Sequence, residues 1–204
     1  MVIRQWNVGK WAILLRLVRT ILAAMTVTGV LTDAFDRITE SVAEAVEGLD
    51  ARQLAARLDA DANPVSWLIW HLTRVQDDHI AAAFASSSDQ VWSAGGWAAR
   101  LGLPPSSMEI GYGQTSAQVE AVSSAICGMP SPGKLLASYH EAVHAQTVRL
   151  VSSLTDADMD RVVDTSWTPP VTLGVRLVSV INDDTQHVGQ ALYVRGILLR
   201  QAGG

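Results

Sequence analysis

The nine residues from Asn182 to Gln190 carry the side chains of this sequence that are best suited to chemistry. They read Asn-Asp-Asp-Thr-Gln-His-Val-Gly-Gln and interrupt an otherwise apolar run from Thr172 to Leu199. A helix as apolar as this run is expected to be buried on most of its faces. Two carboxylates and an imidazole in its middle would be costly there without partners. A metal ion is the simplest partner for aspartate and histidine together, and a hydrogen-bonded polar patch with nothing bound is the alternative.

Helical spacing places these polar groups on a shared face. Asp183 and His187 are four residues apart, so they lie one above the other on a helix. Asp184 and His187 are three apart, which also fits one face, and Gln190 continues that face three residues beyond His187. The spacing therefore predicts a ligand pair made of His187 and a neighbouring aspartate.

A second candidate lies on a helix that is predicted to begin at Asn63-Pro64. Asparagine is a favoured N-cap, and proline is favoured at the first helical position. The helix then passes through Trp67 and Trp70, which mark it as buried, before it reaches His71. His71 could be a metal ligand, or a core histidine that is hydrogen-bonded to a carbonyl.

A rival motif occurs at His140-Glu-Ala-Val-His144, which matches the H-E-x-x-H pattern of zinc proteases. No glutamate follows Glu141, and the extended pattern fails because Thr147 and Leu150 stand where glycine and histidine are needed. The aspartates that could still supply a third ligand are Asp156, Asp160 and Asp164. Because no strand is predicted beside this helix, we interpret the two histidines as lying on a solvated or pocket-edge face.

Composition excludes several other classes of function. The net charge is −5 without a basic stripe in the body of the chain, which argues against nucleic-acid binding. The single Cys127 excludes a disulfide framework and a cysteine zinc cluster, and a reducing cytoplasm is the simplest compartment. Neither a Gly-x-Ser-x-Gly nucleophile motif nor a glycine-rich phosphate loop is present.

The first 25 residues differ from the rest of the chain. They contain four basic residues, no acidic residue, and two tryptophans. Arg16 and Arg19 interrupt the apolar centre that a signal peptide needs, and the segment is too charged to span a membrane. We predict a basic extension over 1–25, outside a single domain over 26–204. A basic amphipathic helix at a membrane surface is the alternative, although membrane association is not expected.

Hydrophobic periodicity predicts four long helices, over 28–47, 64–85, 133–154 and 172–200. No stretch alternates with a period of two, so no sheet is expected. The predicted fold is an all-α four-helix bundle with long crossover connections that carry short extra helices. The connection over 85–115 is long enough to suggest a functional role, such as covering the mouth of a pocket. The sequence leaves open whether the protein forms a homodimer through exposed apolar helix faces.

Two motifs in this order and spacing resemble the DinB/YfiT-like superfamily. They are Asn63-Pro-Val-Ser-Trp-Leu-Ile-Trp-His71-Leu and Asp183-x-x-x-His187-x-Gly-Gln190. Shorter pieces between them, such as Gln90-Val-Trp92, resemble the actinobacterial mycothiol-dependent subgroup, which includes maleylpyruvate isomerase. The resemblance covers about 28–200 and implies a four-helix bundle.

The resemblance also implies a ligand set. Members hold a divalent metal with one histidine of the second helix and two ligands four apart on the last helix. Carried over, these are His71, Asp183 and His187, where members have histidine or glutamate in place of Asp183. Asp184 could substitute for Asp183. Two histidines and a carboxylate suit zinc, with nickel or iron as the other candidates, and three protein ligands leave an open catalytic position.

The activity that the resemblance implies is thiol transfer. A low-molecular-weight thiol such as mycothiol would be activated by the metal and would attack an electrophile, as in an S-transferase or a thiol-dependent isomerase. Gln190 is then a candidate catalytic residue that orients His187 or the thiol, or else a packing amide. A metal-dependent hydrolase using the same site and a non-catalytic metal-binding or stress-related bundle are the alternatives.

Overall fold

A computed structural model describes residues 26–84, 89–104 and 108–202. Within these residues the chain is mostly helical, and the long helices predicted from periodicity are present. In chain order the elements are α1 (Val27–Val46), α2 (Ala51–Ala55), α3 (Val65–Ala83), α4 (Val91–Ala94), α5 (Trp97–Arg100), α6 (Ser116–Cys127), α7 (Pro132–Val151), a 3₁₀ helix (Asp156–Asp160), β1 (Val162–Asp164), β2 (Val171–Thr172) and α8 (Leu173–Ala202).

The four long helices α1, α3, α7 and α8 form the bundle. Helix α1 packs against α7 and α8, and α3 packs against the same two helices, so α1 and α3 are diagonal neighbours. The core between them is built mainly from aliphatic residues, and the aromatic residues that these four helices contribute to it are Phe35, Trp67, Trp70 and Tyr139. The all-α four-helix bundle is therefore confirmed.

Helix α3 is the most deeply buried of the four. Every side chain from Val65 to Asp77 is buried, because α7 and α8 cover one side and the connection towards α7 covers another. The helix begins one residue later than predicted, since Pro64 is the N-cap residue and Val65 is the first helical residue. The two tryptophans of the predicted motif, Trp67 and Trp70, are buried as expected.

A small sheet is the main departure from the predicted fold. Strand β1 pairs antiparallel with β2, where no sheet was predicted. That prediction was wrong, because strands of three and two residues are too short to show alternation. A salt bridge of 2.7 Å between Asp164 on β1 and Arg176 on α8 connects the sheet to that helix.

The connection between α3 and α7 is anchored by a buried arginine. The guanidinium of Arg74 donates to the backbone carbonyls of Met108 and Glu109 and to the side chain of Gln90. It also lies 3.4 Å from the carboxylate of Asp77, and both side chains are fully buried. The hydrogen bonds from Arg74 therefore hold Met108 and Glu109 against the middle of α3.

Asp77 holds the first part of the same connection. Its two oxygens accept the backbone N–H groups of Val91 and Trp92, and one of them also accepts the hydroxyl of Tyr139. Such charge-assisted bonds satisfy a carboxylate that has no access to water. Together, Asp77 and Arg74 hold two separate parts of the connection against α3.

Residues 1–25 lie outside the described part of the chain, so the predicted extension and the domain over 26–204 stay predictions. Among the described residues, none of the helices combines the length and the apolar character that crossing a membrane requires.

Candidate metal centre

Three residues of the predicted ligand set converge where α3 packs against α8. His71 comes from α3, Asp183 and His187 come from α8, and their candidate ligand atoms all lie within 4.8 Å of one another. The Nε2 atom of His187 is 3.7 Å from an oxygen of Asp183. Ligand atoms around a tetrahedral zinc lie roughly 3.3 Å apart, given bonds of about 2 Å. Small side-chain movements would therefore close this cluster around a metal ion.

A backbone carbonyl fixes the proton of His71. Its Nδ1 atom hydrogen-bonds with the carbonyl oxygen of Ile110, and because a carbonyl only accepts, Nδ1 carries the proton. Nε2 is then left with a lone pair that faces the cluster, which is the arrangement typical of metal-binding histidines. Burial lowers the pKa of His71, so the ring is neutral at neutral pH, as a ligand must be. Trp67 stacks on the ring with centroids 4.5 Å apart.

Gln190 plays the corresponding part for His187. Its side-chain oxygen lies 3.1 Å from Nδ1 of His187, one helical turn earlier. Because this oxygen accepts, it selects the tautomer in which Nε2 of His187 is free towards Asp183. Gln190 is therefore placed beside His187, and its predicted role at the site stays a prediction.

The two aspartates differ in their surroundings. Asp184 is fully buried inside the bundle, where burial raises the pKa of its carboxyl well above the usual range, with the charge of Asp183 as a second cause. Asp183, not Asp184, belongs to the cluster with the histidines. One buried oxygen of Asp183 has no hydrogen-bond partner within the described ranges. A buried carboxylate oxygen without a partner is what a cation beside two imidazole nitrogens would satisfy, so the residues present fit a divalent metal.

A glycine allows the connection to approach His71. Gly111 has φ of +95°, and a Cβ atom on it would lie 2.7 Å from Nδ1 of His71. The same atom would lie 3.0 Å from Trp70 and 3.1 Å from Trp67. Neither Gly111 nor Ile110 was singled out from the sequence, and the only signal was that the connection is rich in glycine.

We expect Gly111→Ala to weaken metal binding by about 10–100-fold, because the new methyl group displaces Nδ1 of His71 from its carbonyl partner. Stability should fall by about 1–3 kcal/mol from the strained φ and the clash. The matched control is Gly113→Ala, at φ of +69°, where a new methyl group would meet nothing within 4 Å and would introduce backbone strain alone. Metal titration of both variants checks this prediction, and equal affinities for the two would contradict it.

The two histidines of the H-E-x-x-H pattern lie elsewhere. His140 is 1% exposed, and its ring nitrogens each lie 3.1 Å from a threonine hydroxyl, on Thr39 and Thr73. His144 bonds to the carboxylate of Asp36 at 2.7 Å. The interpretation that both lie on a solvated or pocket-edge face was wrong for His140, because α1 and α3 cover it. Each imidazole has side-chain partners of its own, and neither histidine belongs to the cluster of His71.

The burial of His140 makes stability depend on pH. Burial lowers the pKa of His140 to about 3, with the charge of His144 as a smaller cause, whereas a free histidine titrates near 6.5. Between these values the unfolded state binds more protons than the folded state. The contribution of neutral, buried His140 to the free energy of unfolding is therefore complete above pH ~6.5 and is lost on acidification. We expect His140→Gln to reduce the slope of unfolding free energy against pH by up to about 1.4 kcal/mol per pH unit. Urea unfolding at several pH values tests this, and parallel curves for the two proteins would contradict it.

Comparisons with known proteins found relatives of this chain. A protein-family model described as mycothiol-S-transferase matches residues 30–199. Among solved structures, the chain is similar to the crystal structure of a conserved protein from Enterococcus faecalis, with a TM-score of 0.73 and 29% identity. That similarity covers 86% of this chain and 99% of the other. A search of curated proteins found no match.

Proposed function

The chain belongs to the mycothiol-S-transferase family. We propose that it is a divalent-metal-dependent enzyme that transfers a low-molecular-weight thiol to an electrophile. The observation that carries the proposal is the convergence of His71, Asp183 and His187, together with a buried oxygen of Asp183 that has no hydrogen-bond partner among the described residues. Mycothiol is the thiol that the family favours. The cytoplasm is the compartment that we propose, since low-molecular-weight thiols stay reduced there.

The ligands that we propose are Nε2 of His71, Nε2 of His187 and the carboxylate of Asp183. Zinc suits this donor set best, with nickel or iron as the other candidates. When bound, such a metal supplies a Lewis acid that lowers the pKa of a coordinated thiol. Ile110 and Gln190 hold the two imidazoles in the tautomers that this requires, through hydrogen bonds to the Nδ1 atoms.

The chemistry then needs no nucleophile from the protein. The thiol loses its proton to solvent, its sulfur forms a bond to the electrophilic carbon, and the leaving group departs with the electron pair of the broken bond. The one cysteine of the chain is a poor substitute, because burial raises the pKa of the Cys127 thiol. Burial of His71 under the stacked ring of Trp67 keeps water away from one side of the cluster.

Metal removal and replacement test the proposal. We expect stripping with a chelator to lower the rate of thioether formation from mycothiol and a generic alkylating electrophile by at least about 100-fold, since the activated thiolate is lost. Zinc, nickel or iron added back singly should restore the rate. Metal-dependent loss of the electrophile without thiol would instead indicate a hydrolase. A protein that retains no metal would contradict the proposal.

A further inference from the structure

A cavity of about 590 Å³ lies between the end of α3, the connection at 110–112, the β1–β2 region and the start of α8. Sites for small organic molecules typically have volumes of this order. Its walls include Ala82 from α3, Ile110 and Tyr112 from the connection, and Val163 and Trp167 from the β1–β2 region. The cavity is thus built from several separate parts of the chain.

Two residues join this cavity to the cluster of His71, Asp183 and His187. Ile110 lines the cavity, and its carbonyl oxygen is the partner of His71. His79 also lines the cavity and lies about 12 Å along α3 from His71, at 1.5 Å per residue. A molecule in the cavity would therefore have the proposed metal site at one end.

The walls are mostly apolar, and two aromatic side chains at the cavity are exposed. Trp167 is 65% exposed and Tyr112 is 91% exposed, whereas the other described tryptophans are buried. Large aromatic rings on a surface beside a cavity are typical of binding sites, because they lose little conformational entropy when they cover a ligand.

The charges around the cavity cancel. Arg176 is paired with Asp164 at 2.7 Å, and both side chains line the cavity. His79 is 3.6 Å from Asp78, and burial lowers its pKa, which keeps it neutral at neutral pH. An organic anion would therefore lose its hydration without gaining an unpaired cation, which is costly.

We propose that this cavity binds the electrophile, as an uncharged molecule with an aromatic or aliphatic body, and directs its reactive carbon towards the cluster of His71, Asp183 and His187. The role as electrophile rests on the proposed function, whereas the preference for an uncharged apolar molecule rests on the walls alone. A sugar-based thiol such as mycothiol would lose hydrogen bonds to water in these surroundings. The proposal favours transfer to an apolar electrophile over isomerisation of a small dicarboxylate.

Two fluorescent dyes of similar shape test the cavity without thiol or turnover. N-phenyl-1-naphthylamine is uncharged, and 1-anilinonaphthalene-8-sulfonate carries one negative charge. We expect the uncharged dye to bind at least about tenfold more tightly, and Ala82→Phe, which fills the cavity from an exposed helix position, to weaken it by at least about tenfold. The matched control is Ala43→Phe, another exposed helix position that lines a separate groove between α1 and α7.

The possible results separate this inference from the proposed function. Equal binding of the two dyes, or equal effects of the two phenylalanine variants, would overturn the inference even if metal-dependent transfer holds. If His71→Ala leaves dye binding unchanged, the result supports the cavity. It does so even if that variant also retains its metal, which would contradict the proposed ligands. In the assay with thiol, Ala82→Phe should raise KM for an apolar electrophile at least about fivefold with bound metal unchanged, and an unchanged KM would overturn the inference.

Discussion

Replacing His187 by alanine is expected to lower the affinity for a divalent metal by about a thousandfold, or roughly 4 kcal/mol, and His71→Ala should have a similar effect. Each change removes one of three donors whose atoms lie within 4.8 Å of one another. Two remaining donors cannot enclose the ion, so thiol transfer should fall to the level of the metal-free protein. Competition with a chromophoric chelator measures the affinity, and the metal content after gel filtration provides an independent check.

His144→Ala is the matched control, because His144 also belongs to a two-histidine motif and is bonded to a carboxylate. Its partner is Asp36 on α1, and neither residue belongs to the cluster of His71. We therefore expect unchanged metal affinity and transfer. If His144→Ala lost the metal while His187→Ala retained it, the H-E-x-x-H interpretation would replace the ligand set proposed here.

Asp183→Asn separates a ligand role from a structural one. The amide has nearly the shape of the carboxylate but no negative charge, so metal affinity should fall while the fold stays intact. One buried oxygen of Asp183 lacks a partner among the described side chains and backbone groups, so removing its charge should not destabilise the metal-free protein. A purely structural Asp183 would instead show lower stability without metal and unchanged metal affinity.

The sequence is informative about this site only where the signal is local. The four-residue spacing of Asp183 and His187 is fixed by one helix, so it can be recognised without tertiary structure. His71 lies more than 100 residues away, and a buried histidine on an apolar helix has two ordinary explanations. The resemblance to a family motif favoured the ligand role, and the packing of α3 on α8 then placed His71 in the cluster.

Other features carry no readable signal in the sequence. The partner of His71 is the backbone carbonyl of Ile110, which every residue type possesses. The burial of His140 depends on hydroxyl partners on two other helices, Thr39 and Thr73, which its own helix does not reveal. The bundle followed from periodicity, whereas these contacts depend on which helix faces meet.

Arg74 and Asp77 illustrate the same difference, and they lead to the second large effect. Because they are three residues apart, they resemble in sequence an ordinary surface pair on a helix. Asp33 and Arg37, four residues apart on α1, form such a surface pair. Both members of the α3 pair are fully buried, however, whereas Arg37 has 74% of its side chain exposed. Removing one partner of a buried pair leaves a charge without compensation, which typically costs about 3–5 kcal/mol.

Arg74→Met is therefore expected to destabilise the protein by about 3–5 kcal/mol in urea unfolding, because Asp77 keeps its amide and hydroxyl donors but loses its counter-charge. Arg37→Met removes the same charge from an exposed pair, so its unfolding midpoint should match that of the parent protein. The double variant Arg74→Met/Asp77→Leu should lose less stability than the sum of its single changes, since no buried charge is left unpaired. Strict additivity would contradict this account.

The same substitution should act on the metal site from a distance. Arg74 donates to the carbonyls of Met108 and Glu109, and the next residue, Ile110, supplies the carbonyl that fixes the tautomer of His71. Loss of the guanidinium frees this segment, so we expect metal affinity to fall by about 10–100-fold in the fraction that is still folded. Measuring metal binding without denaturant, at a temperature where Arg74→Met remains folded, separates this effect from unfolding. An Arg74→Met protein that is destabilised but binds metal as tightly as the parent would show that Arg74 supports only the fold, and that the Ile110 carbonyl is held in place by other contacts.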